Sequence, residues 1–218
     1  MAVTLRSGRE IELMRRAGAV VADVLSKLQE IAEPGVTTAD LDRVALEMTA
    51  EAGADALFKG VRSPQARRPF PGAICASVNE EVVHGIPSET AVLHAGDILS
   101  VDFGVRLGGY CGDSATTVPI GQISPDKQRL LDVTKGMLDV AFAEVRPGIR
   151  WSQVARKMQR YVEAAGFSVV RDFVGHGVFS SVTTGCEQAV GRIGNPPHIG
   201  QQDGLSIRPT REDDRPGL

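Results

Sequence analysis

The sequence predicts an α+β fold made of two related halves, each contributing a pair of helices followed by strands. Helical periodicity occupies two separate regions, and the stretch between them, from about residue 57 to 119, consists of short Val- and Ile-containing runs broken by Gly, Pro and Asn. The breaks between helices also repeat. Pro34-Gly35 recurs as Pro147-Gly148, and Gly53 recurs as Gly166, both after 113 residues. We interpret this as an internal duplication, although Pro-Gly is also common between unrelated helices.

Composition excludes several broad classes. The 218 residues make one large domain or two small ones, and 24 Lys+Arg against 27 Asp+Glu give a net charge of −3. These values exclude a strongly basic nucleic-acid-binding protein and an acidic disordered chain. Because no apolar run approaches the roughly 18 residues of a membrane span and the N-terminus has no apolar signal region, we expect a soluble, intracellular protein without a membrane partner. Three separated cysteines indicate neither a disulfide framework nor a cysteine zinc site.

The first pair of helices follows from caps and periodicity. Ser7 and Glu10 have the spacing of a capping box, and the apolar residues behind them recur every three or four positions until Pro34-Gly35. Thr37 or Thr38 is the expected cap of the second helix, which Gly53 ends.

The second pair repeats this order. Ser124-Pro125 begins the third helix, and Ser152 is the expected cap of a fourth helix that ends at Gly166. The duplication then predicts a second strand hairpin near residues 207–231. Residues 207–218 hold two prolines and a run of charges, which are typical of a poor strand, so we expect the second half to be incomplete.

A hairpin in the first half carries two carboxylates. Residues 97–105 read as a strand whose alternation places Asp102 on one face and the apolar residues Leu99, Val101, Phe103 and Val105 on the other. A glycine turn leads to a return strand rich in β-branched residues. With the turn centred between Leu107 and Gly108, Asp102 directly faces Asp113.

Two directly opposed carboxylates repel each other and favour a bound cation. Their Cβ atoms would lie about 4.5–5.5 Å apart. Two cations about 3.5–4 Å apart fit that spacing and form a recognised hydrolytic arrangement. Alternatively, one aspartate points to solvent, or a slipped register separates the pair.

Histidines and a cysteine complete the candidate set. His176 lies between glycines after a Val169-Val170 strand, and His84 lies at the end of another short strand before a turn. A single histidine is more often structural, but two His-Gly strand ends beside an aspartate pair favour a metal site. His94 and His198 are expected at the surface. Cys75 is a possible nucleophile, although its strand position is typical of an inert buried thiol.

Five segments carry a family resemblance: residues 70–79, 83–87, 96–104, 112–115 and 174–177. Together they resemble the type I methionine aminopeptidases over about residues 5–177. The resemblance implies the pita-bread fold, an antiparallel sheet flanked by two pairs of helices from a duplicated half, in agreement with the repeat. It also implies a cytoplasmic metallo-exopeptidase that removes the initiator methionine from nascent polypeptides when the second residue is small, with the ribosome as an expected partner and no specific nucleic-acid site.

The resemblance also implies the roles of individual residues. Asp102 resembles the bidentate ligand of one metal, Asp113 the bridging ligand and His176 the nitrogen ligand. The family binds two divalent ions per site, and this donor set suits Co, Mn, Fe or Zn.

Three further residues resemble the family's substrate site. His84 corresponds to the histidine beside the scissile peptide bond, which assists proton transfer or holds the substrate. Phe70 and Cys75 correspond to walls of the methionine pocket, where an aromatic ring and a sulfur suit a thioether.

The sequence departs from this family beyond residue 177. The family has two further glutamate ligands, one in an Ile-Glu-Pro setting, and neither is recognisable here; the only comparable run, Ile207-Arg208-Pro209, carries an arginine. We therefore expect a catalytic body at 1–177 and a divergent tail at 178–218. The alternative function is a catalytically impaired or inactive relative that binds a peptide or protein. A creatinase-type hydrolase is disfavoured, since few residues precede Ser7.

Overall fold

The computed structural model describes residues 5–62, 68–170 and 207–209. This part of the chain divides into two compact units, residues 5–123 and residues 124–170 with 207–209. None of its helices is long and apolar enough to cross a membrane. The predicted α+β class is confirmed by the order of elements: α1 Gly8–Ile31, α2 Thr38–Glu51, β1 Asp55–Ala56, β2 Ile74–Val78, β3 Ile98–Leu107, β4 Tyr110–Pro119, α3 Pro125–Glu144, α4 Trp151–Ala164, β5 Phe167–Val169 and β6 Ile207–Pro209.

Capping boxes begin the two helices of the first unit, as predicted. At α1 the Glu10 backbone N–H donates to Ser7 Oγ at 3.3 Å, and the Ser7 backbone N–H donates to Glu10 Oε2 at 2.8 Å. At α2 the cap is Thr37, and Asp40 takes the place of the glutamate. Each box satisfies backbone donors that a helix start leaves unpaired.

The helix starts of the second unit agree only in part with the sequence prediction. Ser124 caps α3, with Pro125 in the first turn. The predicted cap of α4 is wrong, because that helix begins at Trp151 and its cap position is Arg150. Gln153 Oε1 accepts the Arg150 backbone N–H at 3.0 Å, so a side chain in the first turn of the helix pairs the backbone donor of the cap residue. Ser152 lies within that first turn.

The repeated glycines have the same backbone conformation in both halves. Gly35 and Gly148 have φ of 98° and 88°, and Gly53 and Gly166 have φ of 63° and 79°. Residues with a Cβ rarely adopt these angles, so each glycine ends or turns the chain at an equivalent point. This agreement supports the internal duplication.

The sheet of the first unit has β3 at its centre. β4 pairs along one side of β3, and β1 and β2 pair along the other side, all antiparallel. Four alternating residues of β3 are fully buried in a core to which α1 and α2 contribute: Leu99, Val101, Phe103 and Val105. Helix α1 approaches so closely that a Cβ on Gly112 of β4 would lie 2.7 Å from the Ala17 carbonyl.

The predicted direct pairing of Asp102 with Asp113 is wrong. Asp102 pairs with Ala115, and Asp113 pairs with Gly104. The turn consists of Gly108 and Gly109, with φ of 58° and 84°, which is the backbone of a two-residue type I′ turn. The turn centre therefore lies one residue later than predicted and the register shifts by two, which makes the carboxylates diagonal neighbours on the same face.

The second unit has its own apolar core between α3, α4 and β5. β5 pairs antiparallel with β6, so Val169 lies opposite Ile207 and Phe167 opposite Pro209. The expectation that residues 207–209 are not a strand is therefore wrong. A three-residue strand needs few ladder bonds, and Pro209 stands at its end, where a missing N–H is tolerated. The predicted boundary at 177 lies outside the described residues.

Candidate active site

The sheet of the first unit has one apolar face against the helices and one polar face. Alternation along the three main strands places small and polar side chains together on the second face, which we call the polar face. Asp102 lies at its centre, between Cys75 of β2 and Ala115 of β4. Its members are Cys75 and Ser77 from β2, Ser100, Asp102 and Gly104 from β3, and Asp113, Ala115 and Thr117 from β4.

The two carboxylates differ in burial. Asp102 is 8% exposed, whereas Asp113 is half-buried. A buried carboxylate is costly unless hydrogen bonds or a positive charge compensate it. In the next row of the polar face the hydroxyls of Ser100 and Thr117 hydrogen-bond to each other across the strands at 2.9 Å. The polar face thus concentrates oxygen atoms and negative charge around Asp102.

Cys75 is a buried thiol beside these charges. It is 4% exposed and pairs directly with Asp102. Burial raises the pKa of the Cys75 thiol most, and the negative charges of Asp102 and Asp113 raise it further, while a hydrogen bond with the His84 backbone opposes the change in part. The thiol is therefore neutral at ordinary pH, which argues against a nucleophile and supports an uncharged wall.

His84 lies beside Cys75 in a loop and not at a strand end, because β2 ends at Val78. Its exposed side chain stands on a backbone with φ of 62°. The next residue, Gly85, is fixed on β2: its carbonyl accepts the Ala76 N–H at 2.9 Å and its N–H donates to Ser77 Oγ at 3.0 Å. A Cβ on Gly85 would lie 2.2 Å from the Ala76 carbonyl oxygen, so only glycine permits this contact.

Aromatic and aliphatic side chains border the polar face. Phe70 is half-buried, and its backbone pairs with Val61, donating to that carbonyl at 2.8 Å. Just before Val61 in the chain, Leu57 and Phe58 lie over Gly104, where an added Cβ would be 3.2 Å from Leu57 Cδ1 and 3.4 Å from Phe58 Cε1. Sequence reasoning missed Phe58. The only available signal was a glycine within a strand, which often marks a close approach by another group.

The structure places the remaining candidates as follows. His176 and His198 lie outside the described residues. The His94 side chain is 76% exposed, which confirms its expected surface position. In the described part of the chain, no three His, Cys, Asp or Glu side chains form a group that could hold a metal ion.

The described donors fit part of a divalent-cation site. Asp102 and Asp113 offer hard oxygen ligands on one face of the sheet. The nitrogen ligand implied by the family resemblance, His176, is not among the described residues.

Comparison with known proteins extends over most of the chain. Residues 12–209 match the model of metallopeptidase family M24. The chain is 42% identical over 208 residues to a methionine aminopeptidase of Clostridium acetobutylicum, covering 95% of this chain and 81% of that protein. It is 45% identical over 176 residues to methionine aminopeptidase 1 of Bacillus subtilis, covering 81% and 68%.

Solved structures agree with these relatives. The methionine aminopeptidase of Thermotoga maritima matches with a TM-score of 0.78 at 34% identity, covering 94% of this chain and 80% of that one. Proline aminopeptidase P II of Yersinia pestis matches with a TM-score of 0.62 at 22% identity, covering 73% and 34%, and shows the fold alone. Both matches confirm the predicted pita-bread fold. The chain therefore belongs to the methionine aminopeptidases of metallopeptidase family M24.

Proposed function

We propose that this chain hydrolyses the first peptide bond of nascent polypeptides and releases the initiator methionine when the second residue is small. The observation that carries the proposal is the polar face, which brings Asp102, Asp113 and a neutral Cys75 together, with the His84 loop beside them. The relatives named above are methionine aminopeptidases, which supports the same reaction here. We place the reaction in the cytoplasm, on chains that emerge from the ribosome, because the substrate is a newly made N-terminus.

Asp102 and Asp113 would hold the divalent metal, together with His176. We propose Co, Mn, Fe or Zn, because the set joins carboxylate oxygens to one imidazole nitrogen. When bound, the metal supplies Lewis-acid polarisation of the scissile carbonyl. The diagonal placement of the two aspartates leaves about 7–8 Å between their Cα atoms, so each carboxylate can reach toward a shared centre from its own strand.

The chain's other residues bind and orient the substrate. Phe70, Phe58 and Cys75 present aromatic and sulfur surfaces, which suit a methionine thioether. Because the pKa of Cys75 is raised, the pocket wall carries no charge at neutral pH. His84 would assist proton transfer to the leaving amide nitrogen or hold the substrate, since its loop is fixed on β2 next to the pocket.

The test uses the full chain loaded with Mn or Co and a Met-Ala-Ser peptide. We expect methionine release and a calorimetric titration with two metal equivalents. Asp102→Asn and Asp113→Asn each remove a proposed ligand, so they should weaken metal binding by more than the about 10–100-fold typical of losing an outer-shell partner. The matched control is Asp139→Asn, an exposed carboxylate of α3, which should change neither measurement. Unaltered metal affinity in both aspartate variants would contradict the site.

A second candidate function is peptide binding without turnover. It is favoured by the sequence beyond residue 177, in which neither of the family's two further glutamate ligands is recognisable. In this case the titration yields at most one weak metal equivalent, and a fluorescent Met-Ala-Ser peptide still binds and is recovered intact. Methionine release at normal turnover would exclude this candidate.

A further inference from the structure

Helix α2 bonds both chain segments that border the candidate site. Thr38 and Asp42 are four residues apart, so they lie on the same face of the helix, one turn from each other. The Thr38 hydroxyl accepts the Ser88 backbone N–H at 2.9 Å and donates to the Ser88 carbonyl at 3.2 Å. Thr38 is 1% exposed, so these bonds are shielded from water. The chain that leaves the His84 loop is thereby attached to α2.

Asp42 holds the other segment. Its Oδ1 atom accepts the backbone N–H groups of Ala73 at 2.7 Å and Ile74 at 3.0 Å. Hydrogen bonds from two amides to one charged oxygen are stronger than neutral ones. These amides directly precede Cys75, and Phe70 lies three residues before Ala73. The carboxylate therefore fixes the backbone that carries both predicted pocket walls.

The two segments meet at Gly72. An added Cβ there would lie 2.9 Å from Pro87 Cγ and 3.0 Å from Asp42 Oδ1. Pro87 follows His84 by three residues and packs into the space that the glycine leaves open. Asp42 therefore lies where the segment that carries Phe70 and Cys75 contacts the chain that follows His84.

We propose that Asp42 is a positioning residue that sets Cys75 and Phe70 against the His84 loop and thereby sets selectivity for the methionine side chain. The role of Asp42 in methionine selectivity rests on the proposed function, whereas its role in positioning Cys75 and Phe70 does not. Asp42 does not lie on the polar face and touches no reacting atom. Removing its carboxylate frees two backbone amides at the start of β2 and loosens the wall that Cys75 forms.

The first readout is independent of catalysis. In a Cys111→Ser, Cys186→Ser background, the rate at which a bulky maleimide labels Cys75 reports how well β2 excludes solvent. We expect Asp42→Ala to raise this rate at least about 10-fold, in line with the loss of two charge-assisted bonds. Asp42→Asn keeps the shape and one acceptor oxygen, so it should give an intermediate rate. Glu47→Ala removes an exposed carboxylate from the same helix and should leave the rate unchanged.

The second readout is discrimination between substrates. For Met-Ala-Ser against norleucine-Ala-Ser, Asp42→Ala should lower kcat/KM for the methionine peptide by up to about 100-fold, as expected for a displaced site. It should also reduce the preference for methionine, and Asp42→Asn should restore part of it. Thermal unfolding monitors the fold of each variant. If Asp42→Ala does not fold, the labelling rate and substrate preference of Asp42→Asn test the proposal instead.

The outcomes separate the two proposals. Folded Asp42 variants with unchanged labelling and unchanged discrimination would overturn the positioning role. Faster labelling in a protein whose parent releases no methionine would support the positioning role and contradict the proposed function. Faster labelling with unchanged discrimination would overturn the link between Asp42 and selectivity.

Discussion

Gly85 connects the His84 loop to the sheet, and its replacement by alanine tests that connection. The added Cβ would lie 2.2 Å from the Ala76 carbonyl oxygen and 2.8 Å from Ser77 Cα, where ordinary contacts begin at 3.4 Å. The colliding atoms are the backbone of β2, so the loop has to move by roughly an ångström. Two hydrogen bonds would be lost with it, one to Ala76 and one to Ser77.

The lost bonds determine the size of the effect. At about 0.5–1.5 kcal/mol each, Gly85→Ala should lower the free energy of unfolding by about 1–3 kcal/mol. A chain of this length loses about 2–4 °C in Tm per kcal/mol, so we expect a decrease of several degrees. Because His84 precedes the displaced residue, kcat/KM for a methionine peptide should fall more than stability alone explains.

The assay combines urea unfolding, thermal unfolding and methionine release. Gly18→Ala is the matched control, because a Cβ on Gly18 meets no atom within 4 Å. This control should be neutral or stabilising by up to about 1 kcal/mol, since alanine is favoured over glycine in a helix. If Gly85→Ala unfolds at the parent's urea concentration, our account of the contact between the loop and β2 is wrong.

Three further predictions concern packing and pH. Gly112→Ala should destabilise the protein by about 1–3 kcal/mol in urea unfolding, because its Cβ would lie 2.7 Å from Ala17 backbone atoms; an unchanged midpoint would contradict direct backbone contact. Gly136→Ala should leave the Tm nearly unchanged, because its Cβ would meet the Tyr161 hydroxyl, the far end of a 41% exposed side chain that can turn away; a decrease of several degrees would contradict this. Hydrogen bonds from the Thr37 side chain and backbone hold the pKa of Asp40 below its usual 3.8, so its stabilising effect is present above that value and disappears as the pH falls further. The Tm difference between Asp40→Asn and the parent should therefore be largest near neutral pH and shrink toward pH 3, and a constant difference would be evidence against this.

Local signals in the sequence were sufficient for most helices. Caps such as Ser7 and Thr37 lie within three residues of their partners, so spacing alone identifies them. The predicted start of α4 was wrong because Arg150 has no capping side chain of the usual type. Gln153, inside the helix, instead accepts the Arg150 backbone N–H. Polar residues near a helix start do not reveal whether the capping hydrogen bond is made by the cap residue's side chain or by a side chain inside the helix.

Contacts between distant segments had no such signal. Asp42 binds Ala73 and Ile74, which are 31 and 32 residues away, and Thr38 binds Ser88 at a separation of 50 residues. An aspartate on the exposed-looking part of a helix has the same sequence pattern whether it faces water or caps a strand. Only the fold brings α2 against the start of β2, so Thr38 and Asp42 were not among the predicted site residues, whereas Cys75 and His84 were.

The two-residue error in the hairpin register leaves Asp102 and Asp113 on one face of the sheet, as predicted. A one-residue error would have moved one aspartate to the opposite face of the sheet, because side chains alternate along a strand. The actual error was two residues, which preserves the face and changes only the separation, from about 5 Å between opposed Cβ atoms to the wider diagonal spacing. With the diagonal spacing, each strand would contribute one carboxylate to a shared cation site. The glycines at 108 and 109 therefore shape the candidate metal site from the far end of the hairpin, because their positive φ angles determine which residue lies opposite Asp102.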